Sequence, residues 1–274
     1  MTASCSALAR DLAEPLAGSA PTTAAWLALE QPGAWGPRAP GDSHLPPDVA
    51  RALQTRTADL PIRVVLIRRP GRHPDLGPTG PRTLLVARPG RQPQLRRISL
   101  PDPWALLDLD LAALVEPGPL PGPPDAAAVV LVCTNGRRDL CCARNGREAV
   151  DRLSGDGRIE VWESTHLGGH RFSPTVLLLP GGWLFGGPAA VEMTTVSCRG
   201  RTDLTAEAQA AELAVLRHRG IATPRPLATV ARPDGRYDVD GVAVTVHRAA
   251  GGAERPESCG GPPRPVAPPV ARLL

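Results

Sequence analysis

The sequence contains no lysine, and all 31 of its basic residues are arginines, set against 27 acidic residues in a chain of 274. The resulting net charge is only +4, and aromatic residues make up 3% of the chain. A protein that binds nucleic acid usually offers a strong basic balance or aromatic side chains on which bases stack. The composition therefore argues against a nucleic-acid partner.

No apolar run reaches the roughly 20 residues that a membrane-spanning helix needs. The N-terminal segment also lacks the basic region and continuous apolar stretch of a secretory leader. We therefore expect a soluble, cytoplasmic protein without a membrane partner. Because a reducing cytoplasm keeps thiols free, the six cysteines are candidates for metal ligation or redox chemistry instead of a disulfide framework.

Several catalytic patterns are missing as well. No G-x-G-x-x-G follows a strand and opens a helix, so the sequence predicts no flavin or nicotinamide site. Nothing singles out the two facing carboxylates that glycoside hydrolysis requires. These absences favour an electron carrier over an enzyme, and such a carrier would need a separate soluble redox partner, such as a reductase.

Proline and glycine tracts divide the chain, which holds 33 prolines and 28 glycines. The tract at residues 117–124 is predicted to be a linker. The residues before it, 1–122, are predicted to form an N-terminal α/β domain of unassigned role, the smaller part of an α/β protein. A second domain is predicted over 123–220. Residues 221–274 are predicted to form a C-terminal extension with short strands and a loose, proline-rich tail.

Apolar spacing predicts the elements of these units. In the first unit it indicates helices at 6–17 and 22–30 and strands at 62–67, 83–87 and 95–100. The second unit begins with a buried strand at 126–132 and ends with a helix at 203–219. Its order of strand, helix, three strands and helix is typical of a thioredoxin-like domain, although other α/β sandwiches share that order.

The densest chemistry lies in the second unit, where Cys133 and Cys142 are followed by His166 and His170. Two thiolates and two imidazoles suit a four-coordinate metal ion or an iron–sulfur centre. The His-x3-His spacing matches zinc proteases, but Leu167 stands where their catalytic glutamate would be. A zinc finger would place its cysteines two to four residues apart. A structural zinc ion stays an alternative.

Two runs carry a resemblance to a known family: VLVCTNGRRDLCCARNG and ESTHLGGHRFSPTVLLLPGGWLFG. They resemble the sucrase/ferredoxin-like family, strongly over residues 125–200 and more loosely through LEQPGAWG and SHLPP in the N-terminal half. The resemblance implies a C-terminal thioredoxin-like ferredoxin domain with one 2Fe-2S cluster, and one-electron transfer as its function.

The resemblance also implies the ligands of that cluster. Cys133 and Cys142 would bind one iron, and His166 and His170 would bind the other. The adjacent Cys141 is an alternative to Cys142, which the spacing within the family favours. Since neutral imidazoles replace anionic thiolates, we expect a raised potential, and a pH-dependent one because a ligand imidazole can take up a proton on its free nitrogen.

Residues outside this pattern have less specific interpretations. Cys5, Cys198 and Cys259 show no partner pattern and are interpreted as incidental. Residues 61–99 hold nine arginines against the single acid Asp75, which makes this region a candidate docking surface for an acidic redox partner or a phosphate-bearing cofactor, or else a solvated face. Two further alternatives are a zinc-stabilised interaction module and a thiol oxidoreductase that uses Cys141 or Cys142, although a C-x-x-C pair is absent.

Overall fold

The structure is a computed structural model that describes residues 4–71, 80–155, 157, 159–249 and 254–274. Its helices are α1 (Cys5–Asp11), α2 (Pro47–Thr57), α3 (Leu140–Ser154) and α4 (Ala206–His218). The strands of the large sheet are β1 (Ala25–Glu30), β2 (Ile62–Arg68), β3 (Arg82–Arg88), β4 (Gln94–Leu100), β5 (Val129–Cys133), β6 (Glu160–Ser164), β7 (Thr175–Leu179), β8 (Trp183–Gly186) and β9 (Cys198–Arg201). The remaining strands are β10 (Thr229–Ala231), β11 (Tyr237–Val239), β12 (Val242–Arg248), β13 (Arg255–Pro256), β14 (Pro263–Arg264) and β15 (Pro269–Leu273).

A nine-stranded mixed sheet in the order β4-β3-β1-β2-β6-β5-β7-β8-β9 organises the molecule. In each half, two parallel strands are joined through a helix, and a hairpin follows whose first strand lies antiparallel to the first parallel strand. The predicted α/β fold is therefore confirmed. The βαβ-plus-hairpin order was predicted for the second half only, and the structure shows it in both.

The two halves meet where β2 lies antiparallel to β6, through the pairs Ile67↔Ser164 and Arg68↔Glu163. Within the described part of the chain, three hydrophobic clusters form the core of the protein. One belongs to each half, and the third, the shared core, contains residues of both halves, among them Trp26, Cys133 and Trp162. The predicted boundary after residue 122 thus falls between strands of one sheet. The division into domains at 1–122, 123–220 and 221–274 stays a prediction.

The helix predicted at residues 22–30 is wrong, because Ala25–Glu30 form strand β1. Trp26 packs into the shared core and Leu29 into the core of the first half, so neighbouring side chains are buried on both faces of the sheet. A central strand covered on both faces shows no polar alternation and can be mistaken for a buried helix. Helix α2 was not predicted.

The tract predicted as a linker and the tail predicted as loose both pack against other parts of the protein. Within residues 117–124, Leu120 is buried and the carbonyl of Pro123 accepts a bond from the Arg97 amide at 3.4 Å. The proline-rich tail supplies β15, which pairs with β12 in a four-stranded sheet and packs against α4. Prolines are tolerated there because they lie at strand ends and edges. Among the described residues, none of the helices has the length and apolar content to cross a membrane.

Candidate metal centre

The predicted thiol pair flanks the loop that connects strand β5 to helix α3. Cys133 is the last residue of β5, and Cys142 lies in the first turn of α3; both side chains are fully buried. Asp139 caps the helix by accepting a hydrogen bond from the Cys141 amide at 2.9 Å. One turn further on, a Cβ at Gly146 would lie 2.1 Å from the Cys133 carbonyl oxygen, so only glycine lets the helix pack this close to the strand.

The histidine pair lies on the loop after β6. Its ring centroids are 4.6 Å apart, and Nδ1 of His170 lies 3.4 Å from Nδ1 of His166. Between the two histidines, Gly168 and Gly169 have φ values of +99° and +68°, which L side chains rarely adopt. The turn at these glycines allows the two imidazole rings to lie against each other.

The four residues come together at this edge of the sheet. The ligand atoms of Cys133, Cys142 and His166 all lie within 4.8 Å of one another, and His170 contacts His166. Nε2 of His170 points to the buried carboxylate of Asp139, at 4.0 Å. The structure therefore groups three of the four predicted residues and places the fourth, His170, against His166, while their role as a ligand set stays a prediction.

Burial and mutual contact set the protonation of these groups. A hydrogen bond from the Cys142 thiol, helped by His166, lowers the pKa of Cys133 well below its usual value. The same hydrogen bond and burial raise the pKa of Cys142. Desolvation by burial lowers the pKa of His170 to about 4. A lowered thiol pKa at Cys133 and a lowered imidazole pKa at His170 both favour metal binding, because these ligands bind in their deprotonated forms.

Arg199 was not predicted, and it positions the histidine loop. Its side chain is 1% exposed and donates to the Gly168 carbonyl at 2.7 Å and to the Ser19 hydroxyl at 3.0 Å. The guanidinium also lies over the ring of Phe172, which follows the histidines. A lone arginine in a strand carries no spacing signal, so only the fold brings it to the site.

A buried group of three charged side chains, Glu14, Arg171 and Arg255, contacts the same loop. Glu14 binds Arg171, the residue after His170, at 2.9 Å, and it also pairs with Arg255 of the C-terminal segment. All three side chains are largely buried. The N-terminal and C-terminal segments thus meet directly behind the histidines.

The arginines of residues 61–99 are mostly engaged within the chain, and Arg72 and Asp75 lie outside the described residues. Arg68 and Arg97 form ion pairs with acids of the second half, at 2.6 Å to Glu163 and 2.8 Å to Asp125. Arg88 and Arg96 donate to backbone carbonyls. Among the described arginines of this segment, Arg63 lines a cleft that also borders His166, and docking through the whole segment stays a prediction.

The structure separates the neighbours Cys141 and Cys142. The Cys141 sulfur lies 3.4 Å from that of Cys259, in a second group that includes Cys5 and Asp139. Cys198 packs in the core of the second half, apart from both groups. Cys5 and Cys259, interpreted from the sequence as incidental, are therefore brought into one cluster by the fold.

A family model described as "Sucrase/ferredoxin-like" matches residues 16–198, about two thirds of the chain. The match spans β1 to the start of β9 and includes both cysteine and histidine pairs. No curated protein and no solved structure matches the chain. With more than half of its length matched, and with thiol and imidazole groups that could hold a metal, the chain belongs to the sucrase/ferredoxin-like family.

Proposed function

We propose that this chain is a one-electron carrier that holds one 2Fe-2S cluster through Cys133, Cys142, His166 and His170. The observation that carries the proposal is the group of Cys133, Cys142 and His166, whose ligand atoms lie within 4.8 Å of one another, with Nδ1 of His170 3.4 Å from Nδ1 of His166. Each iron of such a cluster takes two protein ligands, and thiolates with imidazoles form a known donor set. The residues present therefore fit this group.

When bound, the cluster would supply a reversible one-electron step. The chain's own residues would set its environment. Cys133 and Cys142 are fully buried beside Trp162 in the shared core, which keeps water from the thiol side. The histidine side has two neutral ligands, which we expect to raise the potential above that of an all-cysteine cluster.

The proposed partner is an acidic soluble protein that reaches the histidine side. His166 borders a cleft of about 260 Å³ that is also lined by Arg38, Arg63 and Arg138. Positive charge around an exposed redox site steers an acidic partner into contact. We propose a cytoplasmic location for this exchange, since all six cysteines are free thiols and five of them are buried.

The test is a visible spectrum with iron, sulfide and zinc analysis of protein purified without oxygen. We expect a coloured protein with about two irons and two sulfides per chain, and we expect dithionite to bleach the colour. Cys142→Ser should lose the colour, while Cys141→Ser and the core variant Cys198→Ser should keep it. A colourless protein without iron would contradict the proposal.

The two histidines are tested by a substitution that keeps a ligand, because removal of a histidine can also lower cluster content by misfolding the protein. His166→Cys would put an anionic ligand in place of a neutral one, so the cluster should survive with a lower potential. His218→Cys, at the far end of α4, is the matched control and should leave the potential unchanged. An unchanged potential in His166→Cys would remove His166 from the ligand set.

A second candidate is a zinc-stabilised interaction module, which the compactness of Cys133, Cys142 and His166 favours. Three donors within 4.8 Å of one another suit a single four-coordinate ion. This reading expects a colourless protein whose zinc is lost in Cys142→Ser. A thiol oxidoreductase is less well supported, since reactive thiolates are partly exposed and these thiols are buried.

A further inference from the structure

Three thiols and one carboxylate meet where distant segments of the chain converge. Cys5 opens helix α1, Asp139 and Cys141 open α3, and Cys259 lies in the turn between β13 and β14. The three sulfur atoms are mutual neighbours, at 3.7 Å for Cys5 and Cys141, 3.4 Å for Cys141 and Cys259, and 3.5 Å for Cys259 and Cys5. Asp139 lies against them, with carboxylate oxygens 3.6 Å from the sulfur of Cys5 and 3.5 Å from that of Cys259.

These separations match the edges of one coordination tetrahedron. A zinc–sulfur bond of about 2.3 Å gives sulfur–sulfur edges of about 3.8 Å, and a zinc–oxygen bond of about 2.1 Å gives sulfur–oxygen edges of about 3.6 Å. The observed distances lie within a few tenths of an ångström of both. Ligands on the separate irons of a cluster would be farther apart, so the arrangement suits a single ion.

Packed thiols alone would give similar sulfur–sulfur distances, so the carboxylate is the decisive group. The Asp139 side chain is fully buried, and the three thiols are poor hydrogen-bond donors to it. Its oxygens are oriented by the amides of Cys141 and Cys259, both at 2.9 Å. These amides and Nε2 of His170, 4.0 Å away, offset part of the cost of burying this carboxylate, and a cation held among the three sulfurs would offset the rest.

The surroundings of Cys141 point the same way. The hydroxyl of Ser6 lies 3.3 Å from the Cys141 sulfur and donates a hydrogen bond to it, as groups around metal-bound thiolates commonly do. We infer that Cys5, Asp139, Cys141 and Cys259 form a second metal site that binds one structural zinc ion. Soft thiolates with one oxygen in a closed four-coordinate shell favour zinc over magnesium or calcium.

This site shares no ligand with the proposed cluster, although Asp139 also faces Nε2 of His170 at 4.0 Å. The ion would tie α1 and the C-terminal hairpin to the start of α3. These are the segments that place Glu14 and Arg255 behind the histidine loop. Zinc would thus secure terminal segments that have little core of their own, because its binding free energy adds to folding.

The test is zinc analysis of the full chain, purified without oxygen and supplied with zinc, together with X-ray absorption at the zinc edge. We expect about one zinc per chain with three sulfur ligands and one oxygen ligand. Cys259→Ser and Cys5→Ser should weaken zinc binding by more than about tenfold while iron content is kept. Cys259 lies in a half-buried turn, so its variant should fold, which circular dichroism checks.

Two controls separate this site from the first one. Cys198→Ser removes a buried thiol outside both groups and should keep the zinc. Cys133→Ser should also keep it; if zinc is lost there and kept in Cys259→Ser, the ion belongs to the other group and the inference fails. It fails equally if the wild type binds no zinc, or if mass analysis shows a disulfide among the three cysteines.

Discussion

Gly169 lies between the two histidines with a φ of +68°, and a Cβ built on it would be 2.3 Å from Nη2 of Arg199. The end of an arginine can usually move away. Here the guanidinium is fixed by Ser19 and the Gly168 carbonyl, and its side chain is buried. One missing side chain therefore allows the buried arginine and the histidine loop to occupy neighbouring space.

We predict that Gly169→Ala lowers both metal content and stability. Backbone strain at a positive φ costs about 1 kcal/mol, and the clash with Arg199 adds about 1–3 kcal/mol. Denaturant unfolding and metal analysis measure the two effects.

Gly235→Ala is the matched control for this substitution. Gly235 has a φ of +79° with nothing within 4 Å of its Cβ position, so only the strain applies there. Equal losses of stability in the two variants, with metal content kept, would contradict the positioning role of Arg199.

Helix α4 packs on strand β9 through a buried charge pair. Glu212 is fully buried; its Oε1 lies 3.4 Å from Nη2 of Arg201 and accepts the Leu227 amide at 2.9 Å. Burial raises the pKa of Glu212 to about 7, although Arg201 opposes that rise. The helix is thus attached to the sheet by a carboxyl group that titrates near neutrality.

This shift predicts a pH-dependent stability. The folded pKa of about 7 exceeds the ordinary value of 4.5, so the folded state binds the proton more tightly. The contribution of Glu212 to stability is then fully present below pH 4.5 and is lost as pH rises through 7, by on the order of 3 kcal/mol. Glu212→Gln should remove most of this fall between pH 5 and pH 8 in urea unfolding.

Glu207 provides the control on the same helix, since its pair with Arg248 is exposed. Glu207→Gln should leave the pH dependence of the wild type intact. A fall in Glu212→Gln as steep as in the wild type would show that other groups carry it.

The two halves of the molecule also meet through a buried ion pair beside the strand pairing. Between the described strands β2 and β6 two residue pairs are in register, and there Arg68 binds Glu163 at 2.6 Å while Thr134 donates to the same carboxylate at 3.0 Å. Arg68 also stacks on the ring of Trp35, 4.2 Å from its centroid. This buried pair thus connects the first half to the loop that follows Cys133.

We predict that both halves unfold in a single transition and that Glu163→Gln lowers the free energy of unfolding by about 3–5 kcal/mol, because it leaves Arg68 buried without a counter-charge. Tryptophan fluorescence and circular dichroism should report coincident midpoints. Two separated transitions in the wild type would show that the halves fold independently. Substitution of an exposed acid, as in Glu207→Gln, should cost less than about 1 kcal/mol.

Local patterns in the sequence predicted strands β5 to β8 and helices α3 and α4 of the second half, together with the residues of the first candidate site. The run from Val129 to Cys133, the capped helix α3 and the strands around Gly182 are local patterns that neighbouring residues specify. The thiol and imidazole pairs are visible for the same reason, since each pair is close in sequence. A resemblance carried by such local motifs led to the family that the comparison then showed.

Tertiary structure decided what depends on distant residues. Strand β1 has helix-like spacing and becomes a strand because β2 and β3 pair with it on both sides. Arg199 reaches Gly168 across 31 positions of the chain, and Cys5 meets Cys259 across 254. Spacing along a chain carries no signal at such separations. Only packing could bring these groups together, and with them the second metal site that we infer.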